Sequence, residues 1–176
     1  MLLQRTRADQ VVPVHRTFAQ RYPTPEALAK ESQSGLLSVI SPLGLRWRAP
    51  LMIRMAGIVA DRGRPPERLE ELTALPGVGP YAASAYLSLH RGIRAPIVDA
   101  NVVRLYGRVF GFPTGPETRR KKWLLRLADE MTPRRSFRQF NYALLDLAMK
   151  VCVSRPKCEE CPLSQGPCDF DRKRKR

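Results

Sequence analysis

The chain is 176 residues long and carries 31 basic against 16 acidic side chains, a formal net charge of +15 with a pI near 10.5. Its 43% hydrophobic content can bury a core as one domain or as two small lobes. No apolar run is long enough to span a bilayer and no signal-peptide pattern opens the chain, since Met1-Leu2-Leu3 gives way to Gln4-Arg5-Thr6-Arg7, so membrane classes are excluded and no membrane partner is expected.

Along the chain the pattern is helical almost throughout. Thr24 as cap and Pro25 at the first helical position predict a short helix through Lys30. Leu51, Ile53, Met55, Ile58 and Val59 mark another, closed by Gly63-Arg64-Pro65-Pro66. Leu69 and Leu72 then lead into Leu75-Pro76-Gly77-Val78-Gly79-Pro80-Tyr81, which reads as a hairpin ending in a helix N-terminus. Two glycines allow positive φ and close backbone approach, and Pro80 suits the first helical position. Free N–H groups at that end make a site for a phosphate. Tyr81, Ala85 and Leu89 are expected on one face of the helix that leaves the hairpin.

After Gly92 three more stripes follow at helical spacing: Val98, Val102, Leu105, Tyr106 and Val109; Trp123, Leu124, Leu127 and Met131; Phe137, Phe140, Leu144 and Ala148. No strand pattern or repeat is present, so the expected fold class is all-α. Asp99, in Val98-Asp99-Ala100-Asn101, puts a carboxylate at the start of the first of these helices. As an N-cap it is chemically sound; behind a phosphate grip it also suggests a protein that holds DNA and works on a nucleotide.

Charge and cysteines add to this. Basic residues cluster at Arg119 to Lys122, at Arg134, Arg135 and Arg138, and in the tail from Arg172 to Arg176, and such an excess draws polyanions. The four cysteines, Cys152, Cys158, Cys161 and Cys168, are spaced C-x5-C-x2-C-x6-C. Their confinement to one loop argues against a disulfide scaffold and for an intracellular protein. Four thiolates so close can hold one metal centre. Spacing alone suggests zinc, and a [4Fe–4S] cluster uses the same ligand set. Arg155 and Lys157, inside this loop, are placed to touch a phosphate.

With these motifs in order, the chain resembles the helix-hairpin-helix DNA glycosylases of the endonuclease III superfamily. Within it, the chain is similar to the adenine glycosylases of A·G mismatches and the thymine/uracil glycosylases of G·T and G·U mismatches. The matching stretches are residues 1–10, Gly44-Leu45 with Arg48-Ala49, residues 75–85, residues 98–108, and Phe140-Asn141 with Leu145-Asp146 through the cysteine loop.

The resemblance implies a two-lobe fold: a helical barrel over residues 1–92 carrying the hairpin (about 66–91), and a helical lobe over 93–176 carrying a [4Fe–4S] loop at 152–168 and the basic tail at 172–176. It implies that Asp99 faces the oxocarbenium-like sugar as the base departs, that Asn101 orients this carboxylate, and that Leu75, Gly77, Val78, Gly79 and Tyr81 meet DNA. Gln4 and Arg5 match the position that wedges into the space left by a flipped base. Lyase members carry lysine where this chain has Tyr81, and a phenol cannot form an imine. The expected activity is therefore monofunctional hydrolysis of the N-glycosidic bond of a mismatched base, thymine or uracil opposite G, or adenine opposite G or 8-oxoguanine. The expected protein is a monomer acting on duplex DNA in the cytoplasm, at the nucleoid.

The chain also departs from the family. Gly44 is followed by Leu45, Arg46 and Trp47 where adenine enzymes carry Gly-Leu-Gly-Tyr-Tyr, and Val98-Asp99-Ala100-Asn101 is closer to the thymine branch. The central cysteine pair stands one residue nearer Cys152 than is usual. A family glutamate would fall just before Met1, so an N-terminal truncation is expected. That keeps open a second reading: a catalytically weak or inactive DNA-binding module derived from such an enzyme.

Overall fold

A computed structural model describes residues 2, 6, 8–164 and 166–175. All regular structure among these residues is helical, in line with the periodicity, and the chain divides into two compact units, Met1–Ala83 and Ser84–Arg176.

The first unit contains α1 (Ala8–Arg21), α2 (Pro25–Ala29), α3 (Gln33–Ile40), α4 (Ala49–Arg62) and α5 (Leu69–Ala74), and α6 (Pro80–Ala85) begins in it. Helix α2 starts as its sequence dictates: Thr24 Oγ1 accepts from the Ala27 N–H at 3.3 Å and Pro25 fills the first position. The core gathers Val11, Val14, Leu36, Ile40, Met52 and Ala56. Helix α4 buries Met52, Ala56 and Val59, while Ile58, expected on the apolar stripe, is exposed. Small Ala56 lets the helix approach its neighbours on a face that a list of large apolar residues does not mark.

The second unit contains α7 (Ala100–Phe110), α8 (Lys122–Met131), α9 (Phe137–Asp146) and α10 (Asp169–Arg174); α6 and α9 each run on as a π-helical segment, Tyr86–Arg91 and Leu147–Val151. Its core is built from Val102, Leu105, Tyr106, Leu124, Ala128, Leu144 and Ala148. Helix α8 buries Leu124 and Ala128, and Trp123 and Met131 are exposed instead of lying in the expected stripe.

Two polar staples hold the segment that leads to Asp99. Asn141, fully buried on α9, donates from Nδ2 to Ser88 Oγ at 2.7 Å and to the Ala95 carbonyl at 3.0 Å. Arg94 donates from Nε to the Thr132 carbonyl at 3.1 Å and pairs with Asp129 at 2.7 Å, so the carbonyl of the residue that caps α8 gains a partner. The chain between Gly92 and Asp99 is thus fixed without regular structure of its own.

Candidate functional site

In the first unit the hairpin closes by a hydrogen bond from the Val78 N–H to the Leu75 carbonyl at 3.1 Å. Gly77 has φ 74°, in the left-handed region where a side chain would be strained. Gly79, expected to share that conformation, has no positive φ; a Cβ there would meet open space, and it serves the turn by leaving the surface bare. Leu75 is buried, Val78 half-buried, and Gly79, Pro80 and Tyr81 exposed. The helix after the hairpin buries Ala83, Ser84, Leu87 and Ser88, and Tyr81 lies off that face. The stripe read from Tyr81, Ala85 and Leu89 is therefore corrected: small residues mark the packed face and the large phenol stays at the surface.

Arg48, to which no role had been given from the sequence, is buried in the same unit and donates from Nη1 to the Gly77 carbonyl at 3.5 Å. Its guanidinium lies 4.6 Å from the Trp47 ring centroid, and burial pushes its pKa down. A positive charge under the hairpin adds to the field its amides present.

In the second unit Asp99 caps α7. Its Oδ1 accepts from the Val102 N–H at 2.8 Å and its Oδ2 from Asn101 Nδ2 at 2.7 Å, so both carboxylate oxygens are fixed. Asn101 Oδ1 in turn accepts from Arg104 Nη1 at 3.1 Å. Arg104 donates from Nε to the Cys152 carbonyl at 2.9 Å and from Nη2 to the Ala148 carbonyl at 2.7 Å. A continuous chain of hydrogen bonds therefore joins the carboxylate to the first cysteine of the loop. A half-buried carboxylate held in one orientation is suited to face a developing cation.

The four cysteines form no disulfide and line one cavity, together with Leu105, Val109 and Leu163. Cys152 and Cys158 are buried, and Cys161 and Cys168 half-buried. No three metal-binding side chains close to ligating spacing among the described residues. The residue types are those of a thiolate-held centre: four cysteines line one cavity, and Arg108 Nη1 donates to Cys152 Sγ at 3.4 Å. Burial pushes the Cys158 thiol up.

Arg155 and Lys157 are exposed on this loop, and Lys157 lies 3.7 Å from Glu160 in an ion pair. The basic tail is engaged with nearby acids: Lys173 with Asp169, Arg174 with Glu159 and Asp171, and Lys175 with Asp171. Gln4 and Arg5 lie outside the described residues. Asn101, Arg104 and Arg108 fall at i, i+3 and i+7 on α7, a spacing that shows one helix face in the sequence but not what that face meets.

Comparison with known proteins identifies the family and the fold. The family profile of the HhH-GPD superfamily of base excision DNA repair proteins matches residues 1–128. The chain is 38% identical over 185 residues to the thymine/uracil-DNA glycosylase of Pyrobaculum aerophilum, covering 100% of this chain and 80% of that one. It is 29% identical to the adenine DNA glycosylase of Buchnera aphidicola, covering 94% of this chain and 48% of the relative. Among solved structures it is similar to a thermostable thymine-DNA glycosylase, with a TM-score of 0.90 and 34% identity over 98% of this chain and 81% of that one.

Proposed function

The chain belongs to the HhH-GPD superfamily of base excision DNA repair proteins, and from that premise we propose that it is a monofunctional DNA glycosylase that removes a mismatched thymine or uracil opposite guanine. The observation that carries this reading is the Asp99–Asn101 pair at the start of α7. As the C1′–N bond lengthens, its electron pair goes to the base and the sugar acquires positive charge. Asp99 faces that charge, Asn101 holds the carboxylate in place, and water completes the substitution at C1′. Thymine and uracil leave as stabilised anions, so the reaction demands less protonation than loss of adenine.

Tyr81 stands where a lyase would keep its amine, and the product is an intact strand with an abasic site. The hairpin residues Leu75, Gly77, Val78 and Gly79 grip the backbone, with the buried Leu75 contributing through its main chain, and Gln4 and Arg5 fill the gap left by the flipped base. Arg155 meets a phosphate, and Lys157 does so on releasing Glu160. The lobe to residue 92 carries the grip and the lobe from 93 carries the carboxylate and the cysteines. The protein acts as a monomer on duplex DNA inside the cell.

Cys152, Cys158, Cys161 and Cys168 would hold a [4Fe–4S] centre, or zinc in its place. Such a centre supplies a cross-link for the loop at 152–168. Arg104 and Arg108, which grip the carbonyls of Cys152 and of Val153 and Ser154, brace that loop against α7.

The test is a set of duplexes carrying G·T, G·U, A·G and A·8-oxoguanine, each incubated with the protein and then cleaved with alkali. Strand breaks are expected at thymine and uracil. Breaks confined to adenine would move the chain to the adenine branch.

A further inference from the structure

The cavity that the four cysteines share is also lined by Phe170 and Asp171, both on α10. The Phe170 ring lies 5.1 Å from the guanidinium carbon of Arg108, the same arginine that donates to Cys152 Sγ and to the carbonyl of Val153. Asp171 is only 2% exposed although it sits in a run of basic residues; Arg174 at 3.2 Å and Lys175 at 2.6 Å neutralise it.

The C-terminal end of this helix is tied down as well. Arg174 reaches Glu159 at 3.0 Å, on the turn between two cysteines, and Lys175 Nζ donates to the Ser164 carbonyl at 3.3 Å. At the other end Asp169 packs against Gly111, where a Cβ would come within 2.7 Å of Asp169 Oδ2. Cys168 Sγ, at the start of α10, lies 3.7 Å from the Arg108 carbonyl oxygen. A helix of six residues has little stability of its own, so these contacts hold it over the cavity.

We propose that α10 is a lid over the cysteine cavity, seated by Phe170 beneath Arg108 and latched by Asp171, Arg174 and Glu159, and that it governs access of small solutes to the centre the cysteines hold. The inference rests on the reading of those cysteines as a metal centre. It gives the basic tail a task different from the DNA contact its charge suggests: within the tail, Arg174 and Lys175 are occupied in closing the lid. Access through such a segment follows the equilibrium between its closed and locally opened forms, so a weakened latch raises the rate of attack in proportion.

The test compares the full-length wild type with Phe170→Ala and Arg174→Ala, all carrying their metal. Each is mixed with excess ferricyanide or an iron chelator, and the decay of visible absorption is followed. Phe170→Ala should decay about tenfold faster and Arg174→Ala severalfold faster, with iron per chain as isolated and affinity for duplex DNA unchanged. Arg174 is partly exposed, so its replacement keeps the test informative should Phe170→Ala fold poorly. Decay rates within twofold of wild type in both variants would overturn the lid. Wild type isolated without iron would instead overturn the iron-centre reading. The lid is then tested on the thiols, where equal rates of labelling by an aromatic disulfide reagent in wild type and variants would overturn it and faster labelling in the variants would support it.

Discussion

Asp99→Asn should lower base release by about 10³-fold, the scale of losing one preorganised electrostatic contact to the transition state, while leaving duplex affinity within about twofold. The substitution keeps the shape of the side chain and a carbonyl oxygen that can still accept from the Val102 N–H, so the cap on α7 survives. What it removes is the negative charge, with the acceptor that Asn101 Nδ2 uses, and that charge is needed only when the sugar becomes cationic. Single-turnover release of base from a G·T duplex, with binding measured separately by mobility shift, checks both halves. Full release by the Asn variant would reduce Asp99 to a cap and send the search for the catalytic group elsewhere.

The second large effect is expected at the cysteines. The purified protein should be brown and carry roughly four irons per chain, and Cys158→Ser should abolish both properties, since a cluster of this type needs all four ligands. The same substitution should lower the melting temperature markedly, because the loop from 152 to 168 would lose its cross-link and two further cysteines lie half-buried around the same cavity. Iron analysis and a thermal melt report the result. Stoichiometric zinc in protein made with ample iron, without visible absorption, would replace the cluster by a zinc module.

Much of this molecule is legible from local sequence because local chemistry decides it. Thr24 with Pro25 fixes the start of α2, Gly77 fixes the turn of the hairpin, and Asp99 caps α7. The stripe of α7 is also correct, since Val102, Leu105 and Tyr106 are all buried. Elsewhere large apolar residues mislead. Tyr81, Trp123 and Ile58 lie at helical spacing with other hydrophobics, yet the helices pack through Ala83, Ala128 and Ala56, where small side chains allow close approach.

The arginines are hidden for a different reason. Arg104 and Arg108 sit on a helix as solvated charges would, but their partners are carbonyls more than forty residues away in the loop that begins at Cys152. Only the fold brings those acceptors within reach. The tail shows the opposite case. Its acids, Asp169 and Asp171, stand three or four residues before its bases, a spacing that predicts pairing along a helix, and the sheer number of positive charges obscures it.

The proposed reaction is hydrolysis of the glycosidic bond of a mismatched pyrimidine without strand cleavage. One labelled G·T duplex, incubated with the wild-type protein and divided three ways, tests it most directly. One portion is run untreated, one is heated in alkali, and one is reduced with borohydride during the reaction. The strand should break at the thymine only after alkali, and no protein should be trapped on the DNA, because Tyr81 has no amine with which to form an imine. Breakage without alkali together with a trapped adduct would contradict the monofunctional assignment, and an intact strand in all three portions would contradict excision of thymine.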